Sequence, residues 1–483
     1  MMPANPSRPG SMDSLSAAWA DYFHRVAFQS PAHPAARDFL QQDLFQTLQR
    51  WVPPEASVLA VGCGTGDLLA SLPNSERVGI VPSAELAGEA QRRHPELEFE
   101  TADAENLPAG RRFDAVICDR LCHTVSDVRA LLEGLRDRLA EGGRLFLTAY
   151  NHLWELPARG AEVLGMRIPA PTPNWLSHSD FENLFNITGL EVVRFDDRLM
   201  MPVPVPGVAD VVNRYVAKLP GLQRLSIYRL YCLRRRSLAT QPKQVSVSVV
   251  VPTRNEAGNV AGAIARTPVM GSGTELIFVE GGSNDGTWET IQAAIKEYKG
   301  PLKLSAYQQT GKGKGDAVRL GFSKATGDVL MILDADLTVP PEDLPVFYDV
   351  IARGQGDYVQ GTRLVYPMEP GAMRFFNRLG NQAFSHLFTY LLQQPIKDTL
   401  CGTKVLWRRD YERLAAARHV FGDFDPFGDF DLIFGAARLN LKIVEIPVRY
   451  RERLYGSTNI SRWKHGWLLL KMSGVAARKL RYV

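Results

Sequence analysis

The chain has 483 residues, more than a single hydrophobic core organises, so two domains are expected. Apolar residues make up 45% and charged residues 22%, which excludes wholesale disorder, collagen-like repetition and a multi-span membrane protein. Lys plus Arg number 56 against 52 Asp plus Glu, and a net charge of +4 is too small to point to a nucleic-acid partner.

Cys63, Cys118, Cys122, Cys232 and Cys401 show no paired C-x-x-C spacing, so they suggest neither a disulfide framework nor a zinc site, and a reducing cytoplasm is the expected compartment. The start, MMPANPSRPGSMDS, has no apolar stretch behind a basic head, and no run of eighteen apolar residues follows, so neither a secretory signal nor a membrane span is expected.

From Ser57 the chain reads as a strand from Val58 to Val61, a glycine loop and a helix, then a strand from Val78 to Val81 and a helix from Ser83. A strand from Phe113 to Cys118, a helix near Val128 to Leu139 and a strand from Arg144 to Ala149 continue the alternation that builds a parallel, doubly wound sheet. Ser179 to Thr188, closed by Gly189, reads as a further helix, followed by a strand from Leu190 to Phe195. The Pro-rich stretch from Met201 to Gly207 and the basic tract from Arg234 to Gln244 break the pattern; the second is the expected domain boundary, with Arg234 to Arg236 as a solvated linker face. At Val245 a new strand, VSVSVVVP, starts a second α/β alternation through Asp336, and beyond about Gly371 the pattern turns mostly helical. The expected division is an extension over 1–39, a first domain over 40–236, a linker over 237–244, a second domain over 245–459 and a basic tail over 460–483.

In the first half, Gly62, Gly64 and Gly66 lie between a buried strand and a helix, where glycine lets backbone bend sharply and lie against a ligand. Asp103, in ETADAENLP, follows the next strand, and FDAVICD opens the fourth. Together these resemble the class I S-adenosylmethionine-dependent methyltransferases, a Rossmann-like fold, over roughly residues 40–236. The resemblance implies that the glycine loop holds the methionine end of S-adenosylmethionine and Asp103 the adenine side. The acid that takes the ribose hydroxyls in that family is replaced by Val81 in RVGIVPSAEL; either Glu85 substitutes for it, or the domain is a scaffold that has lost its cofactor. His123 is placed either to act as a base toward a methyl acceptor or to cap the next helix, and Asp67 and Asp127 suit helix N-termini.

In the second half, TRNEAGNV follows the first strand, GGSNDGTWE follows ELIFVEG, and GKGKGDAVRLGF brings Lys312, Lys314 and Arg319 among glycines, a basic stretch suited to phosphate. The stretch DVLMILDADLTVPPEDL runs a buried strand into Asp334 and Asp336, two carboxylates that on an extended segment point to one side, where they can share a hard cation. In this order, with KDTLCGTKVLWRRDY and KIVEIPVRYRERLYGSTNIS, the motifs resemble family 2 inverting glycosyltransferases of GT-A fold over about Val245 to Asn459, and within them the dolichol-phosphate mannose synthase type.

The resemblance implies that Pro252, Asn255, Glu256 and Glu280 face the nucleoside, that Arg451 or Arg453 meets the diphosphate or acceptor phosphate, and that Asp334 and Asp336 hold Mg2+ or Mn2+; Asp285, on its glycine-rich turn, and Lys314 complete the expected nucleotide-sugar site. Gly281 stands where a second acid is usual. A phosphate acceptor is already ionised and needs no base, whereas a hydroxyl does. In GDFDPFGDFDL the candidates are Asp423, Asp425, Asp429 and Asp431, with Asp429 or Asp431 expected for that role or as helix caps. The tail RWKHGWLLLKMSGVAARKLRYV interleaves six basic residues with Trp463, Trp467 and leucines, which suits either a membrane interface or a packed helix with a basic face.

The expectation is therefore a metal-dependent glycosyltransferase moving a sugar from a nucleoside diphosphate sugar to a polyprenyl-phosphate or glycan acceptor, fused to a methyltransferase or to its scaffolding remnant. It is expected in the cytoplasm, with a peripheral contact at the inner face of the membrane.

Overall fold

The computed structural model describes residues 34–164, 171, 173–203, 205–366, 375–418, 428–450, 455 and 470–482. They divide into two compact units, Met1–Arg236 and Ser237–Val483.

The first unit is built on β1 (Val58–Val61), β2 (Arg77–Val81), β3 (Glu98–Thr101), β4 (Phe113–Asp119), β5 (Leu139–Tyr150), β6 (Leu190–Arg198) and β7 (Tyr228–Arg235), in the order β3-β2-β1-β4-β5-β7-β6. Alternation sorts its core: Leu59 and Val61 pack into one apolar layer, Val58 and Ala60 into the other, so β1 is covered on both faces. The helix His178–Ile187 begins with a capping box between Ser177 and Asp180.

The strands expected from the alternation pair in parallel, and β7 is an addition to them that runs antiparallel to β5 and β6. Its sequence, YRLYCLRR, hides a buried strand behind its arginines. Arg229 and Arg234 are neutralised by Asp197 and Glu191 of β6, at 2.6 and 2.7 Å. Arg234 is therefore a buried strand residue and not part of a solvated linker face. Beyond it, residues 237–244 lie along the second unit, where Lys243 N–H donates to Ala352 O at 3.1 Å and Ser237 Oγ donates to Arg353 O.

The second unit is built on β8 (Ser246–Thr253), β9 (Gly273–Glu280), β10 (Lys303–Gln308), β11 (Val329–Ile332), β12 (Tyr358–Thr362), β13 (Lys404–Trp407) and β14 (Ile443–Pro447), in the order β10-β9-β8-β11-β13-β12-β14. In β8, Val247, Val249 and Val251 enter one apolar layer and Val250 the other, which explains a nearly unbroken apolar run. Beyond Gly371 the described residues are mostly helical, as expected, with the helices Phe375–Leu392, Arg408–Ala416 and Asp429–Arg438; the short strands β13 and β14 are additions to that pattern, with β13 antiparallel to β11 and β12. β13 is short and starts on a lysine: Lys404 is fully buried, its Nζ donating to Cys401 O at 2.5 Å. In both units the loops beyond the C-terminal ends of the central parallel strands carry the expected site residues.

Candidate functional site

In the first unit, Gly62, Gly64 and Gly66 follow β1 with φ of 72°, 60° and 87°, the left-handed region that favours glycine. A Cβ at Gly62 would fall 2.6 Å from Leu121 Cδ1 and one at Gly66 2.6 Å from Phe99 Cζ, whereas one at Gly64 would meet nothing within 4 Å. Gly64 therefore marks the open side of the loop. Asp103 lies just beyond β3, where its carboxylate accepts from Glu105 N at 3.0 Å and from Asn106 Nδ2 at 2.9 Å. Val81 is fully buried at the end of β2, and Glu85 is exposed in the first turn of the helix Ala84–Arg93. Asp127 caps its helix through Ala130 N at 3.0 Å, and Asp67 opens the helix Asp67–Ala70, its carboxylate binding Thr65 Oγ1 at 2.7 Å and His94 Nε2 at 3.0 Å.

His123 does not have the geometry of a free base. Tyr150 N–H donates to its Nε2 at 2.8 Å, so the proton resides on Nδ1, which donates to Asn174 O at 2.5 Å. The ring is buried and caps backbone groups that would otherwise be unpaired.

A cluster that sequence reasoning missed stands at the ends of β4 and β5. Arg120, with φ 58°, donates to both Asp119 oxygens at 2.9 and 2.5 Å and to Tyr150 OH at 3.0 Å, while Thr148 Oγ1 donates to Asp119 Oδ1 at 2.5 Å. Burial opposes the Arg120 charge, and the adjoining Asp119 carboxylate outweighs it and holds the guanidinium firmly protonated. The next residue, Leu121, packs on Gly62, which puts the cluster beside the glycine loop. No short motif announces it; the signal is the left-handed backbone of a non-glycine residue, visible only in the fold.

In the second unit, the loops after β8 and β9 are stitched together. Asn255, with φ 56°, donates its N–H to Ser283 Oγ and accepts from Asn284 N, both at 2.9 Å. Asp285 accepts from Ala257 N at 3.3 Å and from Tyr455 OH at 3.3 Å, and Thr287 Oγ1 donates to it as well. Burial raises the Asp285 carboxyl, but the Thr287 hydroxyl and the backbone N–H groups of Ala257 and Thr287 hold it below its ordinary range.

Glu256 and Glu280 are buried and turned into their own loops, accepting from Asn259 Nδ2 at 2.6 Å and from Ser283 N at 2.5 Å. They shape the loops, while Asn255 and exposed Asp285 stand nearer the surface. Pro252 is half-buried within β8. A Cβ on Gly281 would lie 3.3 Å from Nε2 at the end of the Gln309 side chain.

Beyond β11 the segment is a turn and not extended as expected: Leu337 N–H donates to Asp334 O at 3.1 Å, with Leu337 at φ 52°. Asp334 and Asp336 occupy its first and third positions. Asp336 Oδ1 accepts from Thr338 Oγ1 at 2.8 Å. Asp334 Oδ1 lies 2.6 Å from Lys314 Nζ, and a Cβ on Gly402 would fall 1.9 Å from Oδ2, so only glycine fits beside this carboxylate. Burial works to raise the Asp334 carboxyl, but Lys314, Lys404 and Arg363 together hold it below the ordinary carboxylate range. Among the described residues no group of three or more His, Cys, Asp or Glu gathers in a metal-binding arrangement.

Asp431 is buried and accepts from Arg319 Nη2 at 3.0 Å, with Arg418 Nε at 3.5 Å. Asp429 opens the same helix, Asp429–Arg438, its side chain outside the described set. The preceding Gly428 packs so closely that a Cβ would lie 2.7 Å from Gly315 Cα, which brings this helix start against the start of the helix Lys314–Lys324. Asp423, Asp425, Arg451, Arg453, Trp463 and Trp467 lie outside the described residues. Of the tail, residues 470–482 are described: Met472 and Ala476 are buried, and Arg481 Cζ lies 4.8 Å from the Tyr390 ring centroid, so this end packs on the helix Phe375–Leu392.

Residues 248–414 match the family model Glycosyl transferase family 2, and residues 22–194 match a Methyltransferase domain model. The chain is 28% identical over 230 residues to the glycosyltransferase AglJ of Haloferax volcanii, covering 47% of this chain and 71% of that one. It is 28% identical over 250 residues to the dolichol-phosphate mannosyltransferase of Pyrococcus furiosus, covering 49% and 67%. It is also 28% identical over 220 residues to the undecaprenyl-phosphate 4-deoxy-4-formamido-L-arabinose transferase of Pectobacterium atrosepticum, covering 45% and 63%. Similar solved structures include an S-adenosylmethionine-dependent methyltransferase from Thermotoga maritima, with TM-score 0.35, 17% identity, and 47% and 100% of the two chains covered. Another is the magnesium protoporphyrin IX methyltransferase of Synechocystis PCC 6803, with TM-score 0.32, 19% identity, and 46% and 97% covered. The chain joins a methyltransferase domain in its first half to a glycosyl transferase family 2 domain in its second.

Proposed function

We propose that the second domain moves a sugar, with inversion, from a nucleoside diphosphate sugar to a polyprenyl phosphate. The observation that carries this reading is the meeting of Lys314, at the helix start that follows the glycine-rich loop, with Asp334 beyond β11, a cationic donor and a carboxylate converging where a diphosphate would lie. Asn255 and Asp285 line the neighbouring loops and suit the nucleoside.

The donors fit a divalent cation: Asp334 and Asp336 are two hard carboxylates on one turn, both part-exposed, beside Lys314. Asp334 and Asp336 would hold Mg2+ or Mn2+. The bound cation supplies charge stabilisation of the departing nucleoside diphosphate. Lys314 adds a positive charge on the phosphates, and Arg451 or Arg453 is assigned the same role.

The acceptor follows from the acids. Asp431 is committed to Arg319 and Arg418, which leaves Asp429 as the one acid of the helix start for deprotonating a hydroxyl. A phosphate acceptor needs no such base. The names of the Pyrococcus and Pectobacterium relatives, both lipid-phosphate sugar transferases, favour that acceptor over a glycan hydroxyl. No described helix is long and apolar enough to cross a membrane, and the basic tail is assigned a peripheral contact with the inner leaflet.

The first domain is read as an S-adenosylmethionine site built on Gly62, Gly64, Gly66 and Asp103. Buried Val81 favours a second reading, in which this domain is a scaffold.

The test is incubation of the full chain with labelled GDP- or UDP-hexoses and polyprenyl phosphate, with Mg2+ or with a chelator. The expected product is a labelled lipid formed only with the cation. Transfer to a soluble glycan and none to lipid phosphate would overturn the acceptor assignment.

A further inference from the structure

Lys314 and Asp334 answer to two ligands that arrive together. Lys314 opens the helix Lys314–Lys324 directly after Gly313, and Asp334 is the first residue of the turn beyond β11. Their side chains meet at 2.6 Å while 26% and 29% exposed, so the pair can be reached by a ligand. On the other side Asp334 is walled in, since Gly402 lies against Oδ2 too closely for a Cβ. With one oxygen on an ammonium and the other against backbone, Asp334 can coordinate a divalent cation fully only if Lys314 withdraws, because the two cations repel strongly at that spacing. Lysine is suited to withdrawing: its ammonium is a point charge on a flexible stem that exchanges one anionic partner for another without a fixed fork geometry. The preceding loop carries glycines at 311 and 313, the latter with φ 88°, and is where a diphosphate would bring a second anionic partner.

We propose that Lys314 shuttles between Asp334 and the donor's diphosphate, and so makes cation binding and nucleotide binding mutually dependent. The proposal rests on the reading of Asp334 as a metal ligand. Nucleotide draws the ammonium away and frees Asp334 for the cation. The cation in turn displaces the ammonium toward the nucleotide, and the coupling is the same in both directions.

The test is titration of the full chain with Mn2+, followed by electron paramagnetic resonance, without nucleotide and with saturating GDP, and in a parallel arm UDP. For Lys314→Met the expected results are at least fivefold tighter Mn2+ binding without nucleotide, and a nucleotide-induced gain at least fivefold smaller than in the natural protein. A static charge near the site would shift Mn2+ affinity equally in both states, so an unchanged gain overturns the shuttle. Lys314→Arg keeps the charge and grips the carboxylate as a fork. It is expected to weaken nucleotide-free Mn2+ binding, and it decides the matter if Lys314→Met fails to fold. Failure of the natural protein to bind Mn2+, or binding that survives Asp336→Ala unchanged, overturns the metal reading itself and the shuttle with it.

Discussion

Arg363 and Asp398 form a buried, two-pronged ion pair, with Nε and Nη2 at 2.7 and 2.9 Å from the two carboxylate oxygens. Asn381 Nδ2 and the Leu400 N–H, at 2.8 and 3.0 Å, fill the remaining acceptor sites. The pair anchors the segment that reaches Gly402 four residues later, and Gly402 is the residue against which Asp334 rests.

Burial alone would raise the Asp398 carboxyl, but Arg363 and the surrounding donors bring it from 3.8 down to about 2. A carboxyl depressed in the folded state contributes stability above its unfolded value and loses it as pH falls. The contribution, about 2 kcal/mol by linkage, is therefore complete above about pH 5 and lost between about pH 4 and 2. Asp398→Asn leaves Arg363 buried without its counter-charge and is expected to cost about 3–5 kcal/mol at pH 7. Denaturant unfolding of both proteins between pH 7 and 3 checks this: the gap should be wide at pH 7 and narrow on acidification, and a gap independent of pH would remove Asp398 as its source.

Gly402→Ala tests the rim of the same site. The added methyl would sit 1.9 Å from Asp334 Oδ2, and the backbone that carries it is tethered through Asp398, so the carboxylate must move. Sugar transfer is expected to fall at least tenfold, on the scale of a lost charge-stabilising contact, with little change in the unfolding midpoint. Unchanged transfer would show that Asp334 does not need its present position.

The acids at the start of Asp429–Arg438 separate by role. Asp431→Asn weakens the tie to Arg319 and Arg418 and is expected to destabilise the domain by about 1–3 kcal/mol while leaving turnover per folded molecule within a few-fold. Asp429→Asn is expected to leave transfer to a lipid phosphate intact. A loss of about a hundredfold or more in that assay would instead assign Asp429 as a general base and point to a hydroxyl acceptor.

How much of this was legible depended on where the charges go. The run VSVSVVVP and the stretch leading to Asp334 and Asp336 announce buried strands and their loops, because apolar runs of that length have few other uses. β7 and β13 are hard to read because Arg229, Arg234 and Lys404 interrupt or flank their short apolar runs. Their partners Asp197, Glu191 and Cys401 O are supplied by neighbouring strands or by the loop that turns back, and a linear pattern does not carry that pairing. Similarly, nothing near Asp431 foretells Arg319, 112 positions earlier, because that contact forms only when the two helices are packed together. His123 was legible as a residue in the right loop, but its tautomer depended on Tyr150 N–H and Asn174 O.

His123→Ala follows from that last point. It removes the partners of two backbone groups and is expected to cost about 2–4 kcal/mol, but to leave the pH dependence of any methyl transfer unchanged between pH 6 and 8. A rate profile that loses an inflection near neutrality in the variant would restore His123 as a base.

The first domain's chemistry turns on Val81. At the end of β2 its side chain is fully buried and offers the ribose hydroxyls no acceptor, and Glu85 lies exposed in the first turn of the next helix. Leaving two hydroxyls unpaired costs on the order of 2–6 kcal/mol, so the natural protein is expected to bind S-adenosylmethionine weakly. Val81→Asp is expected to tighten binding at least tenfold while lowering the unfolding midpoint, since the new carboxylate is desolvated whenever the cofactor is away. Calorimetric titration of both proteins decides it. Tight binding by the natural chain, lost in Glu85→Gln, would mean that Glu85 reaches the ribose. No binding by either protein would leave the glycine loop without its cofactor and the first domain as a scaffold.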